Sequence, residues 1–235
     1  MKKLPPLLSI IIPVLDEAPI VVRSLSALQG LRENGHELIL VDGGSRDGTV
    51  ALSEPFVDRI LRNSRGRGRQ MNAGARAAGG EILLFLHIDT SLPGDADRLI
   101  IDGLKRKGKR WGRFDVRLSG RHPLLRIIER LMNWRSRLTG IATGDQAIFA
   151  RRELFEAVGG FPDIDLMEDV ALSRLFRRHG PPLCLSTVTT SSRRWEKNGI
   201  LRTILLMWNL RLAFFLGVDP QVLRRIYEGE RWPRK

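Results

Sequence analysis

Residues Leu83 to Thr90 read LLFLHIDT: four apolar residues, then a histidine and an aspartate with no turn residue between. The run has the character of a buried strand, and alternation along it would set His87 and Asp89 on one face at its carboxyl end. The same design recurs upstream. Leu7 to Val14 is a continuous apolar and β-branched run with Pro13 near its end, where a strand tolerates proline. Glu37 to Asp42 closes on an acid, and Asp58 to Leu61 gives a further short strand before the strand at Glu81 to Leu86. Between these lie a loosely helical Pro19 to Leu31, weakened by Gly30, and an alanine-rich helix at Gly68 to Ala78.

Strands alternating with helices imply right-handed crossovers and a mostly parallel central sheet flanked by helices, an α/β fold. Ligands of such sheets bind beyond the carboxyl ends of the strands, where Asp42 and Asp89 fall. The second half is less regular. It predicts helices at Gly94 to Lys107 and Leu124 to Leu138, a strand at Trp111 to Leu118, a short strand near Ala147, a helix from Asp169 and a strand at Leu183 to Val188. No repeat or low-complexity tract divides the body.

With 235 residues and 43% apolar content the chain can bury a sizeable core. Cys184 is its single cysteine, which rules out an internal disulfide framework and an all-cysteine zinc site and fits a reducing compartment. Met1-Lys-Lys leads into a short apolar run interrupted by Pro13, Asp16 and Glu17, so a cytoplasmic start is expected, and Arg202 and Arg211 break Ile200 to Val218 as a spanning helix. Lysine and arginine exceed the acids by 39 − 26 = 13. That excess calls for an anionic partner: a nucleotide diphosphate, an anionic lipid or a nucleic acid. Aromatic residues are 6% and are not interleaved with the arginines, which argues against nucleic acid.

Four segments carry candidate chemistry. In LILVDGGSRDGT, Asp42 either accepts a hydrogen bond from a nucleotide or serves the turn, while Asp47 caps a helix near Thr49. RNSRGRGRQMNAGARAAGG sets Arg62, Arg65, Arg67 and Arg69 among glycines ahead of a helix, a setting that receives phosphate, although it is neither a P-loop nor a dinucleotide fingerprint and, taken alone, reads sooner as a solvated basic loop. Asp89 offers the hard oxygen that Mg²⁺ or Mn²⁺ favours and His87 an imidazole suited to Mn²⁺, or else Asp89 starts the turn before Pro93 and His87 is an ordinary partly buried histidine. Glu168 and Asp169 begin an amphipathic helix. They either complement its dipole or, pressed against Leu166 and Met167, gain proton affinity and approach the properties of a general base.

In this order the pieces resemble family 2 glycosyltransferases of the GT-A, nucleotide-diphospho-sugar transferase fold, from about Ser9 to Trp195. SIIIPVLDEA is similar to the family's first strand and its Asn-Glu pair, with Asp16 in place of asparagine and Glu17 retained. LILVDGGSRDGT resembles the Asp-Asp-Gly-Ser segment, Gly43 replacing the second aspartate. GRQMNAGARAAGGEILLFLHIDT resembles the run into the Asp-x-Asp motif, here His-x-Asp, and GGFPDIDLMEDVALSRLFRRHG the acceptor-side Glu-Asp block. FLHIDT, TGDQAIF and SSRRW are similar to the bacterial subgroup called selenodomain-associated transferase 2.

The resemblance implies an inverting transfer from a nucleotide-diphosphate sugar, a UDP-sugar in our expectation, to an acceptor hydroxyl. Asp169 would be the general base with Glu168 beside it, and Asp89 and His87 would hold Mn²⁺ or Mg²⁺. Donor-side residues would be Pro13, Glu17, Asp42, Arg65, Arg69, Asn72, His87 and Asp89; acceptor-side residues Gly144, Asp145, Gln146, Arg194 and Trp195. Trp195 reads equally as a sugar platform or as core. Ser191 stands where processive synthases carry glutamine, and without spanning helices polymer export is not expected. A nucleotidyltransferase would carry a glycine-rich loop after the first strand, where this chain has Leu15-Asp-Glu-Ala-Pro19.

Residues 1–197 are thus expected as the catalytic domain and 198–235 as a helical extension. If Asn198 to Leu216 is one helix, Asn198, Arg202 and Asn209 share a stripe, Arg211 lies nearly opposite, and the rest is apolar. Such a helix packs on the domain, on a homodimer mate or in a bilayer interface. Acceptors would be small or lipid-linked, and the location cytoplasmic with peripheral contact at the inner membrane face.

Overall fold

The computed structural model describes residues 7–229. Eight strands form one sheet: β1 Leu8–Val14, β2 Glu37–Asp42, β3 Arg59–Arg62, β4 Ile82–Phe85, β5 Thr90–Ser91, β6 Trp111–Leu118, β7 Phe149–Arg151 and β8 Leu183–Thr190, in spatial order β3-β2-β1-β4-β7-β6-β8-β5. Pairs β1·β2, β1·β4, β2·β3 and β6·β8 are parallel; β4·β7, β6·β7 and β5·β8 are antiparallel. The helices are α1 Ala18–Ser26, α2 Gln29–Glu33, α3 Thr49–Ser53, α4 Arg67–Ala77, α5 Ala96–Arg106, α6 Pro123–Thr139, α7 Arg152–Ala157, α8 Glu168–Arg177, α9 Arg193–Asn198, α10 Ile200–Phe215 and α11 Pro220–Glu228.

The continuous apolar strands have a simple physical origin, since both faces of the sheet are covered. Leu8, Ile10, Ile12, Leu38, Leu40 and Leu84 pack into one core with Val21 and Leu25 of α1 and Ile100 and Leu104 of α5. Ile11, Ile39, Val41, Leu83 and Phe85 point the other way, onto Met71 of α4, Phe155 of α7 and Leu172 and Phe176 of α8. α4 lies so close to β1 that a Cβ on Gly74 would stand 2.4 Å from Ile11 Cγ2. Any side chain there overpacks the contact.

Three expectations need correction. The segment 19–31 is two helices rather than one, because Ala27 and Leu28 separate α1 from α2, and Gly30 lies inside the second. β4 ends at Phe85, so His87 and Asp89 do not share a strand face; they sit in the turn beyond it, where the His87 carbonyl accepts from the Thr90 N–H at 3.0 Å. The late helix also breaks, with Gly199 at φ 84°, so Asn198 belongs to α9 and shares no stripe with Arg202 and Asn209 of α10.

The α10–α11 hairpin packs on the body through Leu210, Ala213, Leu223 and Ile226, which meet Ile141, Met167 and Val170. Its inner face roofs the carboxyl-end side of the sheet. The outer face of α10 leaves Leu201, Leu205, Trp208, Leu212 and Phe215 exposed, and α6 does the same with Ile127, Leu131, Trp134 and Leu138. Both stripes follow the i, i+4, i+7, i+11 spacing of one helix face. The two helices meet at a small cluster of Leu125, Ile128 and Met132 with Ile200 and Ile204. Among the described residues no helix is long and apolar enough to cross a membrane.

Candidate functional site

Beyond the carboxyl ends of β1 and β4, and beneath the hairpin, lies a cleft of two lobes, about 510 Å³ and about 280 Å³. Glu17, Arg67, His87, Asp89, Glu168 and Tyr227 line both lobes, so the two are one space. The larger lobe adds Gly144, Asp145, Asp169, Ser191, Arg193, Trp195 and Arg211; the smaller adds Pro13, Arg65, Gln70 and Arg224. The carboxylates of Asp89 and Asp169 therefore face one cavity.

The acids at the start of α8 are held by the backbone that precedes them. Met167 adopts φ 69°, a left-handed conformation costly for an unbranched side chain, and this turns the chain sharply into the helix. Asp169 accepts from the Gly144 N–H through Oδ2 and from the Val170 N–H through Oδ1, both at 2.7 Å. Glu168 is buried, and desolvation, with repulsion from Asp169 added, pushes its carboxyl up to about 7 despite the opposing charge of Arg67. Burial thus outweighs the favourable helix dipole at this position. Gly144 serves two neighbours at once. Its N–H orients Asp169, and its missing side chain leaves room for the imidazole, since a Cβ would stand 2.5 Å from His87 Cε1 and 2.6 Å from Nε2. Burial and then the Arg67 charge lower His87 to about 3, so its ring is neutral with a lone pair available.

Among the described residues Arg67 is the one cation that lines both lobes. It is the first residue of α4, where the helix dipole disfavours positive charge, and it follows Gly66 at φ 145°. What compensates is the acid set around it: Glu168, Asp169 and Asp89 all act on its guanidinium from the cleft, as does Tyr227. Desolvation raises Asp89 and Glu17 as well, opposed at Asp89 by Arg67 and at Glu17 by Arg193, which approaches the Glu17 carboxylate to 3.8 Å. The sequence offered Arg67 only as one of four arginines. The signal that separates it is its place at the first helical position, directly after a glycine that aims the chain at the sheet.

Several predicted residues lie elsewhere. Asp42 is buried at the end of β2, and its carboxylate accepts from the N–H groups of Gly44 and Ser45 at 3.0 to 3.2 Å, so it organises its own loop. Arg69 turns outward to Asp163 and Asp165, at 2.5 and 3.4 Å. Asn72 spends its amide on Phe161, donating to the carbonyl at 2.8 Å and accepting from the N–H at 2.9 Å, which ties α4 to the loop before α8. Gln146 is buried, accepting from the Thr143 N–H at 3.2 Å, with its Nε2 3.4 Å from Asn133 Oδ1. None of these four lines the cleft. Pro13, Glu17, Arg65, Gly144, Asp145 and Trp195 do. Trp195 packs against the Leu118, Leu125 and Ile128 cluster and also lines the larger lobe. The side chain of Arg194 lies outside the described residues. Asp47 joins two helix starts, accepting from the N–H of Thr49 at 3.1 Å and of Ala18 at 2.9 Å.

Missed by the sequence reading were Gln70, whose amide donates to the Val14 and Val41 carbonyls at 3.0 and 2.7 Å and so joins the ends of β1 and β2, and the wall contributed by α11. Among the described residues no three His, Cys, Asp or Glu side chains converge as a metal cage. Asp89 and a neutral His87 fit a different arrangement, that of a hard cation which takes its remaining ligands from a diphosphate and water.

The family model described as glycosyl transferase family 2 matches residues 9–159. A PGL/p-HBAD biosynthesis glycosyltransferase of Mycobacterium bovis is 36% identical over 94 residues, 37% of this chain and 37% of its own length. An undecaprenyl-phosphate 4-deoxy-4-formamido-L-arabinose transferase of Pseudomonas fluorescens is 30% identical over 161 residues, 61% of this chain and 45% of its own. The chain therefore spans less than half the length of these curated relatives. Among solved structures, the mannosyltransferase PcManGT from Pyrobaculum calidifontis, in complex with GDP-Man and Mn²⁺, superposes with a TM-score of 0.64 at 21% identity, over 98% of this chain and 66% of that one. A likeness at that identity is one of fold, and the fold is GT-A.

Proposed function

Since the chain belongs to glycosyl transferase family 2, we propose that the cleft moves a sugar from a nucleotide-diphosphate donor to an acceptor hydroxyl with inversion at the anomeric carbon. The observation that carries this reading is the pair of carboxylates, Asp89 and Asp169, on one cavity with the Arg67 cation between their fields. The smaller lobe, with Pro13, Arg65 and Gln70, is the donor side; the larger, with Gly144, Asp145 and Trp195, receives the acceptor.

Asp169 takes the acceptor hydroxyl's proton as that oxygen bonds to the anomeric carbon and the bond to the diphosphate breaks, its electron pair leaving on the diphosphate. Two backbone N–H donors fix the carboxylate and leave lone pairs for that proton. Glu168, in its protonated form, relieves the repulsion between the paired acids. Arg67 offers preorganised positive charge to the leaving diphosphate. Asp89 and His87 would hold Mg²⁺ or Mn²⁺, which when bound supplies Lewis-acid stabilisation of the same charge. Placement in the selenodomain-associated transferase 2 subgroup rests on FLHIDT, TGDQAIF and SSRRW.

Asp169→Asn tests the reading. Transfer, assayed across a panel of nucleotide sugars with Mn²⁺ and Mg²⁺, should vanish while donor binding by calorimetry persists; undiminished turnover would remove Asp169 from the mechanism. Asp89→Ala should weaken donor binding chiefly when the divalent ion is present.

A lipid-linked acceptor is favoured over a freely soluble one by the two apolar stripes of α6 and α10, in which Trp134 is 63% and Trp208 60% exposed. With 13 excess positive charges, this face suits peripheral contact with an anionic bilayer.

A further inference from the structure

A second cavity, of about 680 Å³, opens behind the acceptor lobe between the end of α6, the outer turns of α8 and α10. Its lining holds five arginines, Arg135, Arg174, Arg177, Arg178 and Arg211, and no acid. Among the described residues none of the five forms an ion pair. Some of their donors have partners: Arg135 Nη1 reaches the Ile141 carbonyl at 3.4 Å, Arg177 Nη1 donates to the Thr139 carbonyl at 2.7 Å, and the Arg174 guanidinium sits 4.3 Å over the Phe215 ring. Arg135 Nε and Nη2, by contrast, are buried with no hydrogen-bond partner.

Two orphaned donors on a guanidinium, crowded by like charges, are an arrangement that folding alone does not reward. A buried unpaired donor costs stability, and so does each repulsion. Burial and the nearby Arg211 charge accordingly lower Arg135 to about 10, opposed by Asp145 and Asp169 from the cleft side. An anion with several oxygens in this cavity would be met by five guanidinium groups and no acid, and arginine forks match phosphoryl oxygens best.

We propose that this five-arginine cavity is a binding site for a phosphoryl or diphosphoryl group carried by the acceptor. Arg211 and Val170 line both this cavity and the acceptor lobe, so a phosphate held at Arg135 leaves the molecule bearing it positioned to enter the lobe beside Asp169. Assignment of the phosphate to the acceptor rests on the transfer reading above. The anion site itself does not. The phosphate belongs either to a soluble phosphorylated acceptor or to a lipid headgroup.

Calorimetry on the full chain tests it, with inorganic pyrophosphate as probe after the donor lobe is saturated with whichever nucleoside diphosphate of a UDP, GDP and TDP panel binds. The expected result is one further site for pyrophosphate, weakened at least about tenfold in Arg135→Gln and in Arg178→Gln at the rim, with nucleotide affinity unchanged. Arg135→Lys, which keeps the charge, should retain part of the affinity and guards against a folding defect. If pyrophosphate does not bind but vesicles containing phosphatidic acid bind in an Arg135-dependent way, the source is a headgroup and the site stands. Equal binding of both probes by wild type and the glutamine variants, or by neither, overturns it. Arg135-dependent pyrophosphate binding in a chain that binds no nucleotide would instead overturn the transfer reading and leave this one intact.

Discussion

Replacing Glu168 by glutamine should make the protein more stable, and by an amount that depends on pH. The buried carboxyl has an affinity for its proton that moves from the ordinary 4.5 to about 7 on folding. Between these values the unfolded chain has released the proton while the folded chain retains it, so stability falls as pH rises through the window and levels off above it. At about 1.36 kcal/mol per pH unit the loss amounts to about 3 kcal/mol between pH 4.5 and 7. Glutamine keeps the shape and does not titrate. Urea unfolding of both proteins in EDTA, at half-unit steps from pH 4.5 to 8, gives two curves whose difference isolates Glu168, because Glu17, Asp89 and Asp145 titrate in both. The difference should be near zero at pH 4.5 and grow to about 3 kcal/mol by pH 7.5. Curves that stay parallel would mean that Glu168 reaches solvent, and with it would go the account of a desolvated acid pair at the head of α8.

The remaining expectations are simpler. Gly144→Ala sets a methyl 2.5 Å from His87 Cε1, so the ring must shift; transfer should fall by at least about tenfold with donor affinity less affected, measured as kcat against KM. Arg69→Ala should leave donor affinity within about twofold and cost no more than about 1 kcal/mol, because its guanidinium and Asp163 are exposed and the half-buried Asp165 keeps Arg224 at 3.3 Å; a large loss of affinity would return Arg69 to the donor site. Gly74→Val should cost about 1–3 kcal/mol in urea unfolding through overpacking against Ile11 and Val41, without altering which nucleotide binds. Trp134→Glu with Leu205→Glu should abolish flotation with anionic liposomes while thermal stability changes little; unchanged flotation would remove α6 and α10 as the membrane face.

Strands with strong boundaries were legible in the sequence. Glu37–Asp42 and Trp111–Leu118 form as predicted, the first because its apolar run stops at an acid and turn residues, the second because Phe114, Val116 and Leu118 alternate with charged residues. The approach of Asp89 and Asp169 to one space was legible as well, since strand carboxyl ends and helix amino ends of an α/β sheet gather on one side. What pattern does not encode is where a polar side chain finds its partner. Asp42, Asn72 and Gln146 have the residue types of ligand contacts, yet Asp42 and Gln146 are consumed by backbone N–H groups of their own loops and Asn72 by Phe161, which a linear reading does not bring near it. Arg65, Arg67 and Arg69 are alike in sequence, and their fates diverge: Arg67 lines both lobes, Arg69 turns to the loop at Asp163, and Arg65, ahead of the helix, lines the smaller lobe and meets Glu228 of α11 at 3.1 Å. The five-arginine cavity escaped notice because its members come from three helices.

The hairpin of α10 and α11 supplies Thr203, Met207 and Arg211 to one lobe, Arg224 and Glu228 to the other, and Tyr227 to both, yet it contributes no strand to the sheet. The hairpin thus follows Asp89 and Asp169 in the chain and is held to the body by two apolar clusters and by the Arg65–Glu228 and Arg224–Asp165 ion pairs. Exchanging that helical pair would change one wall of each lobe while Asp89 and Asp169, carried by the body, kept their places.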